Sequence, residues 1–392
     1  MAITPEILLA RAAALVPVLA DRAAETERQR QVPAQSVADL TAAGLFRVLQ
    51  PKRFGGYEYD FNLLIRLIAE ISRGCGSTGW IYGLAATSQW VLALFPPAVQ
   101  EEIWSGNPDA HLQGAVAPSA IAEKADGGYR LSGTWNFTSG CDHADWMFVG
   151  ALLPGEGPRL APGFLLLPRR DFRIDDNWYT VGLCGTGSKN IVIENAFVPA
   201  HRVVSFVQLS SGAAPGVALH ANPLYRIPFM ALIPLSIATP ALGIAQSALD
   251  DFVAMATGRT TKGAIAGAGS KMAEFATVQS RIAEASGLID AARLLLLRDV
   301  DEVLATAAAG DPVTVAQRIR NRRDHALAVK FCVEAVNGLY AATGASGLFL
   351  ANRLQRSWRD INAIAKHISM NWDAVSTMAG QHALGLEPRG QY

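Results

Sequence analysis

The spacing of the apolar residues constrains this chain most, because it switches from a helical period to a period of two and back again. Up to about Asp109 the period is helical. Ile7, Leu8, Ala12, Leu15 and Leu19 recur at intervals of three and four, and "FNLLIRLIAEIS" repeats the pattern at Leu64, Leu67, Ile68 and Ile71. Between them "SVADLTAAGLFRVL" predicts a short helix with Ser36 as its N-cap, and the Pro and Gly-Gly content of "PKRFGGYEYD" predicts a loop. From about His111 to Phe206 the period is two. "YRLSGTWNFT" places Tyr129, Leu131, Trp135 and Phe137 on one side, and Arg130, Ser132, Thr134, Asn136 and Thr138 on the other. That pattern is expected of a half-buried antiparallel strand. "DWMFVGALL", "GFLLLP" and "NIVIENAFVP" are further strand candidates between Gly- and Pro-rich turns. From Pro228 onward "EASGLIDAARLLLLRDVDEVLATAA" and "HALAVKFCVEAVNGLYAA" return to long helical stripes, the second at Ala328, Phe331, Cys332, Ala335, Val336 and Leu339. An α+β chain is expected: an N-terminal helical domain (1–110), a small central β-barrel or sandwich (111–208), a Ser/Gly/Ala-rich linker or mobile loop (209–227) and a C-terminal helical bundle (228–392).

Several function classes fall away on composition. With 392 residues, 50% of them hydrophobic and 17% charged, the chain can bury more than one module. Lysine plus arginine balance aspartate plus glutamate at 34 each, so no basic stripe argues for a nucleic-acid partner. Cys75, Cys141, Cys184 and Cys332 are isolated, which predicts neither a disulfide framework nor a zinc site and fits a reduced, cytoplasmic setting. Glu6, Arg11, Asp21 and Arg22 interrupt any signal-peptide pattern. Two uncharged stretches, Arg73 to Glu101 and Arg226 to Asp250, carry too much polar and proline punctuation for a lipid span. No membrane association is expected.

Chemistry concentrates in "GTWNFTSGCDH", Gly133 to His143. Adjacent Cys141, Asp142 and His143 point in different directions, whereas triad partners are assembled by the fold, and one Cys beside one His is not a metal set. Those three are expected to turn the chain. The strand before them can instead present a flat surface.

"GTWNFTSGCDHADW", followed by "DDNWYTVGLCGTGSKNIVIENAFVPAHRV" and by the C-terminal "WRDINAIAKHISMNWD", resembles the two-component, flavin-dependent aromatic monooxygenases built on the acyl-CoA dehydrogenase fold. The nearest class is the oxygenase component of para-hydroxyphenylacetate hydroxylase with its steroid-ring and indole relatives. The resemblance implies reduced FMN or FADH2 supplied by a separate flavin reductase, its reaction with O2 to a C4a-hydroperoxyflavin, hydroxylation of an aromatic small molecule, and a homotetramer. It also implies residues. Trp135, Asn136, Phe137, Thr138 and Ser139 would run along the flavin, with Ser139 or Thr138 near N5, and the two aromatics would line the ring or pack beneath it. Arg259 would hold the flavin phosphate, commonly of a neighbouring subunit, with Ser346 of "ATGASGLF" as a further contact. His367 would deprotonate a phenol or hydrogen-bond the hydroperoxide, titrating near neutrality, and Asn371 would touch the flavin or orient the histidine. Asp360 would pair with Arg359 or Arg356. Trp80, Tyr82, Trp90 and Trp372 would supply an apolar substrate pocket.

Acyl-CoA dehydrogenation ranks second. "SMNWDAVSTMAGQ" holds no glutamate to abstract an α-proton, and "GAVAPSAIAE" replaces the usual Thr-Glu-Pro-Gly loop. Gln89 and Trp90 stand where members acting on para-hydroxyphenylacetate carry a histidine. A neutral, indole-like or polycyclic aromatic is therefore expected over a small acidic phenol.

Overall fold

A computed structural model describes residues 3–155, 159–261 and 269–392. Five helices open the chain: α1 (Pro5–Gln29), α2 (Ala34–Ala42), α3 (Phe61–Gly74), α4 (Gly76–Leu92) and α5 (Pro97–Trp104). Asp60 caps α3 by accepting from the amides of Asn62 and Leu63, at 2.9 and 3.2 Å. Leu64, Leu67, Ile68 and Ile71 are all buried, as their spacing predicts. Ser36 differs from expectation. Helix α2 begins two residues earlier behind Pro33, and the Ser36 hydroxyl inside it accepts from Arg22 at 3.2 Å.

Among the described residues eight strands follow: β1 (Leu112–Ala115), β2 (Glu123–Ala125), β3 (Gly128–Thr138), β4 (Trp146–Pro154), β5 (Leu160–Pro168), β6 (Arg173–Asp175), β7 (Lys189–Pro199) and β8 (Val203–Ser205). They form two four-stranded sheets, β1-β4-β5-β8 and β2-β3-β7-β6. All pairs are antiparallel except β1 with β4. Leu131, Trp135, Met147, Val149, Leu165, Leu167, Ile191 and Ile193 fill the space between the sheets.

The connection expected to be a linker is built. It carries α6 (Phe206–Ser210) and short 3-10 turns, and inside it His220 Nε2 lies 2.9 Å from Gln100 Oε1. The bundle comprises α7 (Phe229–Ala238), α8 (Pro240–Gly258), α9 (Ala276–Ala308), α10 (Val315–Ala341), α11 (Arg353–Ile364) and α12 (Trp372–Ala383). One continuous apolar core joins it to the N-terminal helices. Helices α3 and α8 approach so closely at Gly243 that a Cβ there would sit 2.1 Å from the Ala69 carbonyl oxygen. The stretch Phe229–Gly258 is long and apolar enough to cross a membrane, but its most apolar window is 89% buried in this core. That burial agrees with reading it as an interior segment.

Candidate active site

The end of β3 departs from simple alternation. Trp135 pairs with Ile191, yet Thr138 pairs with Lys189, so β3 carries one residue more than β7 across this interval. The bulge puts Phe137 at φ +59°, a region that a bulky side chain enters only under strain. Trp135 and Phe137 therefore do not share a face. Trp135 lies in the sandwich core with its indole N–H donating to the Gly150 carbonyl at 2.8 Å. Phe137 points outward, 75% exposed, edge-on to Trp178 at 6.2 Å between ring centres. Asn136 is exposed beside it. Thr138 is buried, and its hydroxyl donates to the Trp135 carbonyl at 3.3 Å. The Ser139 hydroxyl, unlike that of Thr138, joins a buried chain of hydroxyls.

Gly140, at φ +70°, turns the chain after Ser139. Trp80 Nε1, from α4, donates to Ser139 Oγ at 3.0 Å. Ser139 Oγ lies 2.6 Å from Ser188 Oγ, which lies 2.7 Å from Thr186 Oγ1. Thr186 in turn donates to the Leu183 carbonyl at 2.8 Å. This hydroxyl chain is buried throughout.

The indole of Trp80 also meets the ring of His367, centre to centre 5.8 Å and steeply inclined. Strand end and bundle thus converge on one tryptophan. His367 follows α11, and its Nδ1 accepts the Ser369 amide at 3.1 Å. Desolvation first, then the nearby charge of Arg322, push His367 down to about 4 from 6.5. The expectation of a histidine titrating near neutrality is corrected accordingly. At neutral pH the ring is uncharged, and with Nδ1 accepting, its proton sits on Nε2. Arg322, buried on α10, donates to the Ser369 carbonyl and the Gln391 carbonyl, both at 3.1 Å, and so pins the turn that carries His367.

Other expected members fall elsewhere. Tyr82 is wholly buried with its hydroxyl on the Leu45 carbonyl at 3.2 Å, and Trp90 is wholly buried with its indole N–H on the Leu224 carbonyl at 3.1 Å. Trp372 packs against Ile319, Ala326, Val375 and Met378, with the Lys330 ammonium 5.0 Å over its ring. Asn371 is exposed and caps α12 through the Ala374 amide at 3.1 Å, while Ser369 and Trp80 contact His367. Asp360 accepts the Leu183 amide at 2.6 Å, and burial raises it to about 6. Arg359 pairs with Glu27 instead. Cys141–His143 form the expected turn, a single 3-10 turn. Burial drives the Cys141 thiol up to about 12, Asp142 pairs with Lys189 at 2.8 Å, and His143 Nε2 lies 2.7 Å from the Val32 carbonyl oxygen.

Arg259 and Ser346 come together. Arg259 Nη1 donates to Ser346 Oγ at 3.0 Å and to the Thr343 carbonyl at 2.8 Å. Among the described residues no hydrogen bond links this cluster to Ser139 or His367. Residues 262–268, shortly after Arg259, lie outside the described residues. Thr186, Ser188, Trp178 and Arg322 were not singled out in the sequence. The first three lie inside the stretch that carries the family resemblance, and only the fold reveals their partners. Arg322 shows no signal beyond being a cation within a helix whose neighbours are buried.

A flat group with apolar faces and a polar edge fits these residues. Phe137 and Trp178 offer apolar faces, Ile368 beside His367 is 82% exposed, and Ser139 and His367 offer polar atoms. No cluster of three or more His, Cys, Asp or Glu among the described residues has metal-binding geometry.

Comparison with known proteins agrees. Residues 10–105 match the family described as acyl-CoA dehydrogenase, N-terminal domain, and residues 235–372 its C-terminal domain. The chain is 45% identical to the FADH(2)-dependent resorcinol hydroxylase, oxygenase component, of Rhizobium sp. (strain MTP-10005), over 98% of this chain and 96% of that protein. It superposes on 3-HSA hydroxylase from Rhodococcus sp. RHA1 with a TM-score of 0.92 at 38% identity, covering 97% of each chain. It superposes on XiaF from Streptomyces sp., solved in complex with FADH2 and glycerol, with a TM-score of 0.91 at 29% identity, covering 99% of this chain and 97% of that one. The chain therefore belongs to the acyl-CoA dehydrogenase-fold family of flavin-dependent monooxygenases, among the oxygenase components of two-component systems.

Proposed function

We propose that this chain takes reduced FMN or FADH2 from a separate flavin reductase and uses it with O2 to hydroxylate an aromatic small molecule. The observation that carries the reading is Trp80. It binds Ser139, just past the end of the strand where the family's flavin is expected, and packs against His367, the one histidine in the stretch where the family's substrate is expected. Reduced flavin with O2 supplies the oxygen atom. The chain's residues bind and orient. Phe137 and Trp178 would cover a ring face, Ser139 would meet the ring's polar edge, and His367 would donate from Nε2 to an oxygen of the substrate. As a neutral donor whose Nδ1 is engaged, His367 is better suited to hydrogen bonding than to removing a phenolic proton. Of Trp80, Tyr82, Trp90 and Trp372, Trp80 is the aromatic assigned to the pocket.

The relative named resorcinol hydroxylase supports a phenolic or other uncharged aromatic substrate. We assign the Arg259–Ser346 cluster to the flavin phosphate of a neighbouring copy within a homotetramer. Leu348, Phe349 and Leu350, at least 70% exposed immediately beside it, offer an apolar surface for that copy. Replacing Arg259 by alanine should weaken reduced-flavin binding by about tenfold, the scale of one lost charge-assisted contact. Unchanged binding would remove Arg259 from the site.

The direct test supplies the protein with reduced FMN or FADH2 from a generic flavin reductase and screens aromatics for hydroxylated product. Binding of reduced flavin and a changed rate of its oxidation by O2 are expected. If the protein neither binds reduced flavin nor alters its oxidation, the reading is wrong. The site also sets a pH profile. Because His367 is depressed to about 4, it stays neutral as pH falls toward that value. The step it assists should be flat from about pH 8 down to about pH 5.5, and an inflection of this step near 6.5 that His367→Asn abolishes would contradict the assignment.

A further inference from the structure

We propose that Ser188 and Thr186 lock the Ser139 hydroxyl into accepting, not donating, toward the cofactor, so that this site selects reduced over oxidised flavin. The inference rests on the flavin reading above and concerns residues to which that reading gives no role.

A hydroxyl has one proton and two lone pairs, while a carbonyl has lone pairs only. At the far end of the chain Thr186 Oγ1 lies 2.8 Å from the Leu183 carbonyl oxygen, so the Thr186 proton points there. Thr186 can then only accept across the 2.7 Å contact with Ser188, and the Ser188 proton points to Thr186. Ser188 in turn can only accept across the 2.6 Å contact with Ser139, which fixes the Ser139 proton on Ser188. Trp80, a donor without acceptor capacity, fills one Ser139 lone pair at 3.0 Å. Ser139 is left with one free lone pair and no free proton.

The acceptor end is anchored. Leu183 sits at φ +51°, its amide is held by Asp360 at 2.6 Å, and its carbonyl also receives Trp178 Nε1 at 3.1 Å. With all four members buried, water does not compete for these protons. Reduced flavin carries a proton on N5 and can donate to the free lone pair. Oxidised flavin presents a lone pair at N5, which would face another lone pair. An oxygenase that receives its flavin by diffusion needs this discrimination, because it must capture the reduced form and release the oxidised one.

Anaerobic titration of the full-length protein with reduced and with oxidised flavin, FMN and FAD in turn, tests the proposal through the ratio of the two dissociation constants. Ser188→Ala frees the Ser139 proton to turn toward oxidised N5. Thr186→Val lets the Ser188 proton turn back to Ser139, with the same result. Both should tighten oxidised flavin and shrink the ratio about three- to tenfold, the range of one hydrogen bond. Thr186→Ser keeps the hydroxyl and should retain the wild-type ratio. A ratio unchanged in both Ser188→Ala and Thr186→Val, or equal weakening of both redox forms, overturns the proposal and leaves a packing role. Wild-type protein that binds neither form refutes the flavin reading itself, and this inference with it.

Discussion

His367→Ala is expected to lower the rate of product formation by two to three orders of magnitude while reduced flavin binds within a few-fold of wild type. The size follows from what a positioned proton donor contributes to catalysis, about 10²- to 10⁴-fold. The asymmetry follows from position. His367 contacts Trp80 edge-on and receives the Ser369 amide, but it takes no part in the Ser139–Ser188–Thr186 chain that would meet the flavin edge. His367→Asn retains an N–H donor and should recover part of the loss, which a purely space-filling role would not give. Flavin oxidation should continue in both variants without matching product, because the cofactor still binds and reacts with O2 while transfer to the aromatic fails. Product yield per flavin oxidised is therefore the informative measurement. Equal losses of binding and of yield would assign His367 to the packing of Trp80 instead.

The layout of the fold was legible because burial follows period. Leu64, Leu67, Ile68 and Ile71 reach the core as predicted, and so do Ala328, Cys332, Ala335, Val336 and Leu339. What the period cannot express is an inserted residue. The bulge between Trp135 and Thr138 separates two aromatics that strict alternation would place together, and Phe137 leaves the core for that reason. The family resemblance pointed to Ser139 and His367, and the fold brings both against Trp80. Their supporting partners were not legible in the sequence, since Ser188, Thr186 and Arg322 acquire a role only when distant segments meet. Tyr82 and Trp90 show the opposite error. An aromatic with a polar tip suits a pocket and a core equally well, and here both tips satisfy buried carbonyls. Likewise, the pKa of His367 depends on desolvation and on Arg322, neither of which is adjacent in sequence.

Trp135 and Phe137, two residues apart, should respond in opposite ways. Trp135→Ala is expected to destabilise the protein by about 4 kcal/mol, as for other large aromatics removed from a packed interior. The indole is 1% exposed between the two sheets, and its N–H bond to Gly150 ties β3 to β4 across them. Phe137 buries little, so its ring contributes little to stability. At φ +59° its backbone carries a cost of about 1–2 kcal/mol that a glycine does not incur. Phe137→Gly should therefore raise stability by about 1 kcal/mol, with reduced-flavin binding weakened because the exposed face is lost. Denaturant midpoints and flavin titrations on both variants check the pair. If Phe137→Gly loses stability, or leaves flavin affinity untouched, the strain at Phe137 has no functional return and the strand end is not a cofactor platform. A strained, exposed aromatic beside a fully satisfied buried one is the arrangement expected where a fold gives up stability to hold a surface ready for a ligand.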